Sequence, residues 1–256
     1  MKVIYPDLTI AAEADGEDAN YPASNLADEH PKDLWKGTGN SHVVKITAGA
    51  GSNAITVFNT NAASISVAVK LGESAEWATG TEWAGGAEWY SSEETPSGTY
   101  DLDPAGVGSF WAEYTAIDAP HIIELTMTAA AGTVLQAGVA RAGTVNTFRD
   151  PSYGIKEGLK DYSVVKILNN GALLIVDRDI VSTFNLRLNL LSDTDFYMFM
   201  RSIMKQNGSH PLPWRIVHNK LTNAEWIVYA SCLQMPEGEH VYLTNKPLII
   251  PLTEVV

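Results

Sequence analysis

Residues 64–71 alternate without exception, with Ile65, Val67, Val69 and Leu71 set between Ser64, Ser66, Ala68 and Lys70. A side-chain period of two belongs to an extended strand with one buried face and one face in water. SHVVKITA, NAITVFN, SFWAEYTA, HIIELTMT and TVLQAGVA carry the same texture, and Gly, Asn, Ser, Pro and Asp collect between them. Six or more short strands with no long helical run predict an antiparallel β-sandwich over residues 1–150.

The pattern changes in residues 151–256. DYSVVKIL and ALLIVDRD flank Asn169, Asn170 and Gly171, and Asn-Gly supplies the positive φ angles of a tight hairpin turn. VSTFNLRLNL then alternates strictly, placing Phe184, Leu186, Leu188 and Leu190 opposite Thr183, Asn185, Arg187 and Asn189. SDTDFYMFMRSIMKQNG is the one clear helix, expected near 192–206. Ser192 or Asp193 caps it, Phe196, Phe199, Met200 and Ile203 form its apolar stripe, and Gly208 ends it. PWRIVHN, NAEWIVYASC and HVYLTNKPLIIPL return to strands. Pro247 and Pro251 bracket the last of these, which predicts a sheet edge. The fold class is therefore mainly β: an N-terminal antiparallel sandwich, then a C-terminal β-barrel or sandwich with one flanking helix.

At 256 residues the chain is long enough for two cores. Charge divides it at the same place. Residues 1–150 hold 7 Lys and Arg against 20 Asp and Glu, and residues 151–256 hold 10 against 10. An acidic first half repels phosphate backbones, so nucleic acid is not an expected partner. No stretch approaches the roughly 20 apolar residues of a membrane-spanning helix, and the opening residues lack a signal peptide's apolar run, so folding in the cytosol is expected. Cys232 stands alone among apolar neighbours and is expected to fill core space.

The first half also carries a family resemblance. Tyr21, Pro22, Ala23, Ser24, Asn25 and Leu26, followed by Trp35 and the strand SHVVKITAG, resemble the start of galactose-binding-like (discoidin-type) sandwiches found in some phage proteins. FWAEYTA, HIIELTMTAAAG and VLQAGVARAG resemble that sandwich's closing strands. The order hairpin, alternating strand, helix, Asn207-Gly208 and strands ending in PLIIPLTEV is similar to domains that build tail tubes, distal-tail rings and tail-tip hubs. This resemblance implies a non-enzymatic structural protein of a phage tail tip, a distal or minor tail protein in the virion, assembled in the host bacterial cytoplasm. It implies a homo-oligomer, with tube and hub proteins as further partners.

Candidate chemistry is sparse. GxSxG, HExxH, CxxC, Walker and dinucleotide motifs are all absent, and no pair of the histidines at 30, 42, 121, 210, 218 and 240 has i, i+4 ligand spacing. His121 and Glu124 read as a strand-end polar residue and a solvent-facing carboxylate. A polysaccharide-degrading enzyme would need two carboxylates facing each other across a cleft, which spacing alone does not pair. Glu76-Trp77, Glu82-Trp83 and Glu88-Trp89 repeat Glu-Trp every six residues. Trp77, Trp83 and Trp89 could stack on sugar rings beside hydroxyl-accepting carboxylates, making the chain a carbohydrate-binding adhesion module for host surface glycans. The same indoles serve as packing or interface anchors, and this second use carries more weight. Trp111, beside Phe110 in a strand, is expected in the core. Glu13, Asp15, Glu17 and Asp18 offer hard oxygens for a structural calcium ion, but without a dedicated loop spacing, so a solvated acidic turn is preferred.

Overall fold

The computed structural model describes residues 1–71, 100–101, 108–151, 155–167, 173–219, 224–234, 236–238 and 246–255. Its strands in the first part are β1 (Lys2–Asp7), β2 (Thr9–Ala14), β3 (Trp35–Lys36), β4 (Ser41–Ala48), β5 (Ser52–Thr60), β6 (Ala62–Leu71), β7 (Tyr100–Asp101), β8 (Gly108–Ile117), β9 (His121–Ala129), β10 (Gln136–Ala137) and β11 (Val139–Thr147). There follow β12 (Lys156–Asp161), β13 (Val164–Ile167), β14 (Leu173–Val176) and β15 (Ile180–Leu191). After a helix come β16 (Leu212–Asn219), β17 (Ala224–Ser231), β18 (Glu237–Gly238) and β19 (Lys246–Glu254).

Two compact units result: Pro6–Val145, and Met1–Tyr5 together with Asn146–Val256. The first five residues thus leave the expected 1–150 domain and join the C-terminal one. Lys2 and Val3 of β1 pair with Arg215 and Trp214 of β16, and Met1 and Val3 bury among Phe148, Phe199 and Trp214. Nothing local to MKVIY announces a partner that lies about two hundred residues downstream, a separation that only tertiary pairing resolves.

The 6–145 unit is an antiparallel β-sandwich. One sheet runs β2-β4-β9-β6-β7, and the other joins β11, β5 and β8. Period-two alternation sends Val44, Ile46, Ile65, Val67, Ile123 and Leu125 inward from the first sheet to meet Ile55, Val57, Phe110 and Ala142 from the second. Trp35 and Leu26 close the same core, the latter from a short 3-10 turn, Ala23–Ala27, within the PASNL segment. Trp111 is buried, as expected, and its indole N–H donates to Glu113 Oε1 at 2.8 Å.

In the C-terminal unit the strand order is β12-β15-β19-β17-β16-β1, with β18 added to β19. Phe184, Leu186 and Leu188 are buried and Asn185 and Arg187 are exposed, as their alternation predicts; the side chain of Leu190 lies outside the described residues. The helix forms where expected. Ser192 Oγ accepts from the Asp195 N–H at 3.1 Å to cap α1 (Asp193–Tyr197), and a π-helical stretch, Met198–Met204, leads into α2 (Lys205–Asn207). The wider π turn brings Met204 into the core beside Phe196, Phe199 and Ile203, while Met200 is only partly buried. Gly208, at φ 64°, ends the helix.

The last strand departs from expectation. β19 is an inner strand, paired with β15 along most of its length. On its other flank β18 pairs with Leu248 and Ile249, and β17 with Thr253 and Glu254. Pro251 falls in the gap between these two ladders, so its missing N–H interrupts no pair on that flank.

Candidate interaction surface

Trp77, Trp83 and Trp89 lie outside the described residues, in the connection between β6 and β7, two strands that pair through Ser64 with Asp101 and Ile65 with Tyr100. The acidic segment before PASNL is described, and protein donors occupy three of its carboxylates. Asp15 Oδ1 meets His42 Nδ1 at 2.9 Å, Glu17 Oε2 accepts from the Ala23 N–H at 2.6 Å, and Asp18 Oδ1 accepts from the Asn20 N–H at 2.8 Å. Glu13 sits opposite Lys45 in the β2–β4 ladder. Among the described residues no group of three His, Cys, Asp or Glu is placed to hold a metal ion. Glu17 and Asp18 brace local turns.

His42 fastens that segment. Its Nε2 accepts from the Gly39 N–H at 2.9 Å, so Nδ1 carries the proton and donates to Asp15. A Cβ on Gly16 or Gly37 would stand 2.8 or 2.3 Å from the ring, so two glycines make its seat.

His121 opens β9, as read from the sequence, and is buried. Its Nδ1 donates to the Ala119 carbonyl at 2.9 Å, which leaves Nε2 to accept from the Tyr114 hydroxyl at 2.9 Å, and Tyr114 in turn contacts Ser52 Oγ. Burial pushes the Tyr114 hydroxyl up to about 12, against a smaller lowering by the Ser52 hydrogen bond. Tyr114 stands between Ser52 and His121, so these two residues do not make the serine–imidazole contact of a nucleophile and its base. Glu124 is an ion-pair centre, with Lys70 Nζ at 2.6 Å and Lys45 Nζ at 3.9 Å. In the β4–β9 ladder His42 opposes Met127 and His121 opposes Ala48, which puts the two histidines roughly 20 Å apart along the sheet.

The surface that stands out belongs to the C-terminal unit. β12 pairs with β15 from Lys156 with Asn185 to Asp161 with Ile180, and β13 with β14 from Val164 with Val176 to Ile167 with Leu173. Together they make one long ribbon with an extra residue on its returning strand. Ser163 fastens the irregularity: its N–H donates to Asp161 Oδ1 at 2.7 Å, and its Oγ accepts from the Arg178 N–H at 2.9 Å. Hydrogen bonding by the Ser163 hydroxyl, and then by its backbone N–H, holds the Asp161 carboxyl below its ordinary value. The expected Asn-Gly turn falls in residues 168–172, outside the described ones.

Opposed residues share a face, so Val165, Ile167, Leu173 and Ile175 lie together, at 59, 75, 62 and 55% exposure. The other face carries Val164, Lys166, Leu174 and Val176, and Leu159 and Ile180 stand exposed near the base. Scattered exposed aliphatics are ordinary on a protein surface; a contiguous set of this kind marks a contact surface.

No protein-family model matches the chain, and no curated protein matches it. Among solved structures it is similar to reduced XRCC1 bound to the DNA polymerase beta catalytic domain, at 12% identity and TM-score 0.37, over 54% of this chain and 99% of that one. It is similar to chitosan-binding module 1 from a chitosanase/glucanase of Paenibacillus sp. IK-5, at 15% identity and TM-score 0.37, over 53% and 96% of the two chains. A truncated AlyQ with CBM32 and alginate lyase domains matches at 11% identity and TM-score 0.36, over 75% of this chain and 50% of that one. No helix among the described residues is long and apolar enough to cross a membrane.

Proposed function

We propose that this protein is a structural building block that assembles with copies of itself, a distal or minor tail protein of a phage tail tip. The C-terminal unit is the packing unit, and the sandwich is an accessory domain. One observation carries the reading: the 164–176 ribbon presents Val165, Ile167, Leu173, Leu174, Ile175 and Val176 to solvent. A two-stranded hairpin is at best marginally stable in water, and apolar surface of this extent calls for a protein neighbour. The order of hairpin, alternating strand, helix and closing strands, similar to that of tail-tube and distal-tail domains, supports the setting. Light scattering across a concentration series, with electron microscopy of the purified protein, tests it. Discrete multimers or rings are expected; a particle that stays monomeric at high micromolar concentration refutes assembly.

A second reading gives the sandwich a glycan ligand. It is favoured by the threefold Glu-Trp repeat in the connection between β6 and β7. Saccharide affinity should fall roughly fivefold or more on Trp77→Ala, Trp83→Ala or Trp89→Ala, since one stacked ring contributes on the order of 1 kcal/mol or more. Blank glycan arrays with unchanged adsorption by all three variants would remove this reading.

A further inference from the structure

The ribbon lacks the polar face that β15 has. β15 buries Phe184, Leu186 and Leu188 and turns Asn185 and Arg187 to water. In β13 and β14 both sets of alternate residues are apolar: Val165, Ile167, Leu173 and Ile175 on a first face, Val164, Leu174 and Val176 on a second, with Lys166 the single charge. Strands that read as continuous apolar runs are strands covered on both faces. The first face, at 55 to 75% exposure, offers on the order of 400 Å² of apolar surface, and the second about half as much. Neither reaches the roughly 800 Å² that one partner gives to a standard interface. A two-fold pair of ribbons, which covers the same face of each, therefore falls short and leaves the other face in water.

We propose, resting on the assembly reading above, that the ribbons of successive copies stack front to back. The Val165, Ile167, Leu173 and Ile175 face of one copy packs on the Val164, Leu174 and Val176 face of the next. The occupant of each face is thus a second copy, and each ribbon supplies a layer of the length and width that its neighbour needs. Stacked layers of this kind lie about 10 Å apart. Lys166 fits the stack, because its stem lies on apolar surface while its amine reaches past the edge of the two-stranded layer. Both faces of every ribbon are then covered, which a pair related by a two-fold axis does not achieve. A contact between two different faces is also heterologous. It repeats from copy to copy and, where the rotation closes, ends as a ring.

One substitution on each face tests the stack. Full-length Ile175→Lys and Leu174→Lys chains are compared with the native chain by sedimentation velocity, alone and mixed, with circular dichroism to confirm the fold. Each joint needs one face of each kind, so either variant alone should associate at least roughly tenfold more weakly than the native chain. In an equimolar mixture the intact first face of the Leu174→Lys chain meets the intact second face of the Ile175→Lys chain, and assembly should stop at a pair containing one of each. Charges of the same sign on both variants exclude recovery by attraction. Should either Lys chain lose structure, Thr, a good strand former, takes its place at both positions. A variant that assembles as the native chain does, or a mixture that stays apart or grows beyond two, refutes the stack while assembly through another surface stands. A native chain that never associates removes the assembly reading together with this one.

Discussion

Gly138→Ala offers a sharp test of the packing in the sandwich. A Cβ at position 138 would lie 2.3 Å from the Pro31 carbonyl oxygen and 2.9 Å from Asn59 Cβ. Relief to an ordinary contact requires roughly 1 Å of backbone movement. Neither neighbour is free to give it. The Pro31 oxygen accepts from Asn59 Nδ2 at 2.8 Å, Asn59 itself sits at φ 55°, and the Gly138 N–H donates to the Phe58 carbonyl at 3.0 Å. Overpacking costs about 1–3 kcal/mol, and losing the Asn59 bond adds about 1 kcal/mol, so the variant should lose about 2–4 kcal/mol. That corresponds to a fall in Tm on the order of 10 °C. Gly132→Ala is the control: its φ of 80° strains a Cβ, yet nothing lies within 4 Å of it. It should lose only about 1–2 kcal/mol. Urea unfolding of both variants measures the difference, and a Gly138→Ala chain no less stable than Gly132→Ala would refute the close approach.

Three further outcomes follow from the titrating groups. Burial pushes the Cys232 thiol up to about 12, so iodoacetamide at pH 8 should leave the folded protein unmodified and alkylate it only after unfolding. Tyr114, also raised to about 12, is held neutral by the fold; its contribution is intact below pH 10.0, where an unfolded tyrosine ionises, and is lost as pH rises toward about 12. Alkaline unfolding should therefore be steeper for the native chain than for Tyr114→Phe. The Asp161 carboxyl is lowered by Ser163, so its contribution is present above the unfolded value and lost as pH falls through the folded one. A carbon-13 titration should find the Asp161 midpoint higher in Ser163→Ala.

Strong periodicity made much of the fold legible. The β4, β9 and β15 strands, the 164–176 hairpin and the helix with its Ser192 cap all follow from patterns confined to a few consecutive residues. What escaped depends on distant partners. β1 and β2 lie in an opening segment whose alternation is weak, and β1 takes Trp214 and Arg215 as partners from far along the chain. Pro247 and Pro251 look like edge residues until the gap between the β17 and β18 ladders is seen. The candidate surface was the least legible part. Val-Val-Lys-Ile and Leu-Leu-Ile-Val announce a hairpin, but composition does not say whether their own chain buries such residues. His121 does begin a strand, as read, but its burial was not legible, because Tyr114 and Ser52 close over it only once the chain is folded.

The path of the backbone has its own consequence. Because Met1–Tyr5 complete a unit otherwise made by Asn146–Val256, the sandwich is an insert, entered and left at neighbouring points where Asn146 Nδ2 donates to the Tyr5 carbonyl. During synthesis the insert can fold as soon as it clears the ribosome, while the leading strand must wait for the final hundred or so residues to appear. Splicing Tyr5 to Asn146 through a brief linker should then yield a self-standing host, and the vacated slot could accept a different domain with little disturbance to its surroundings.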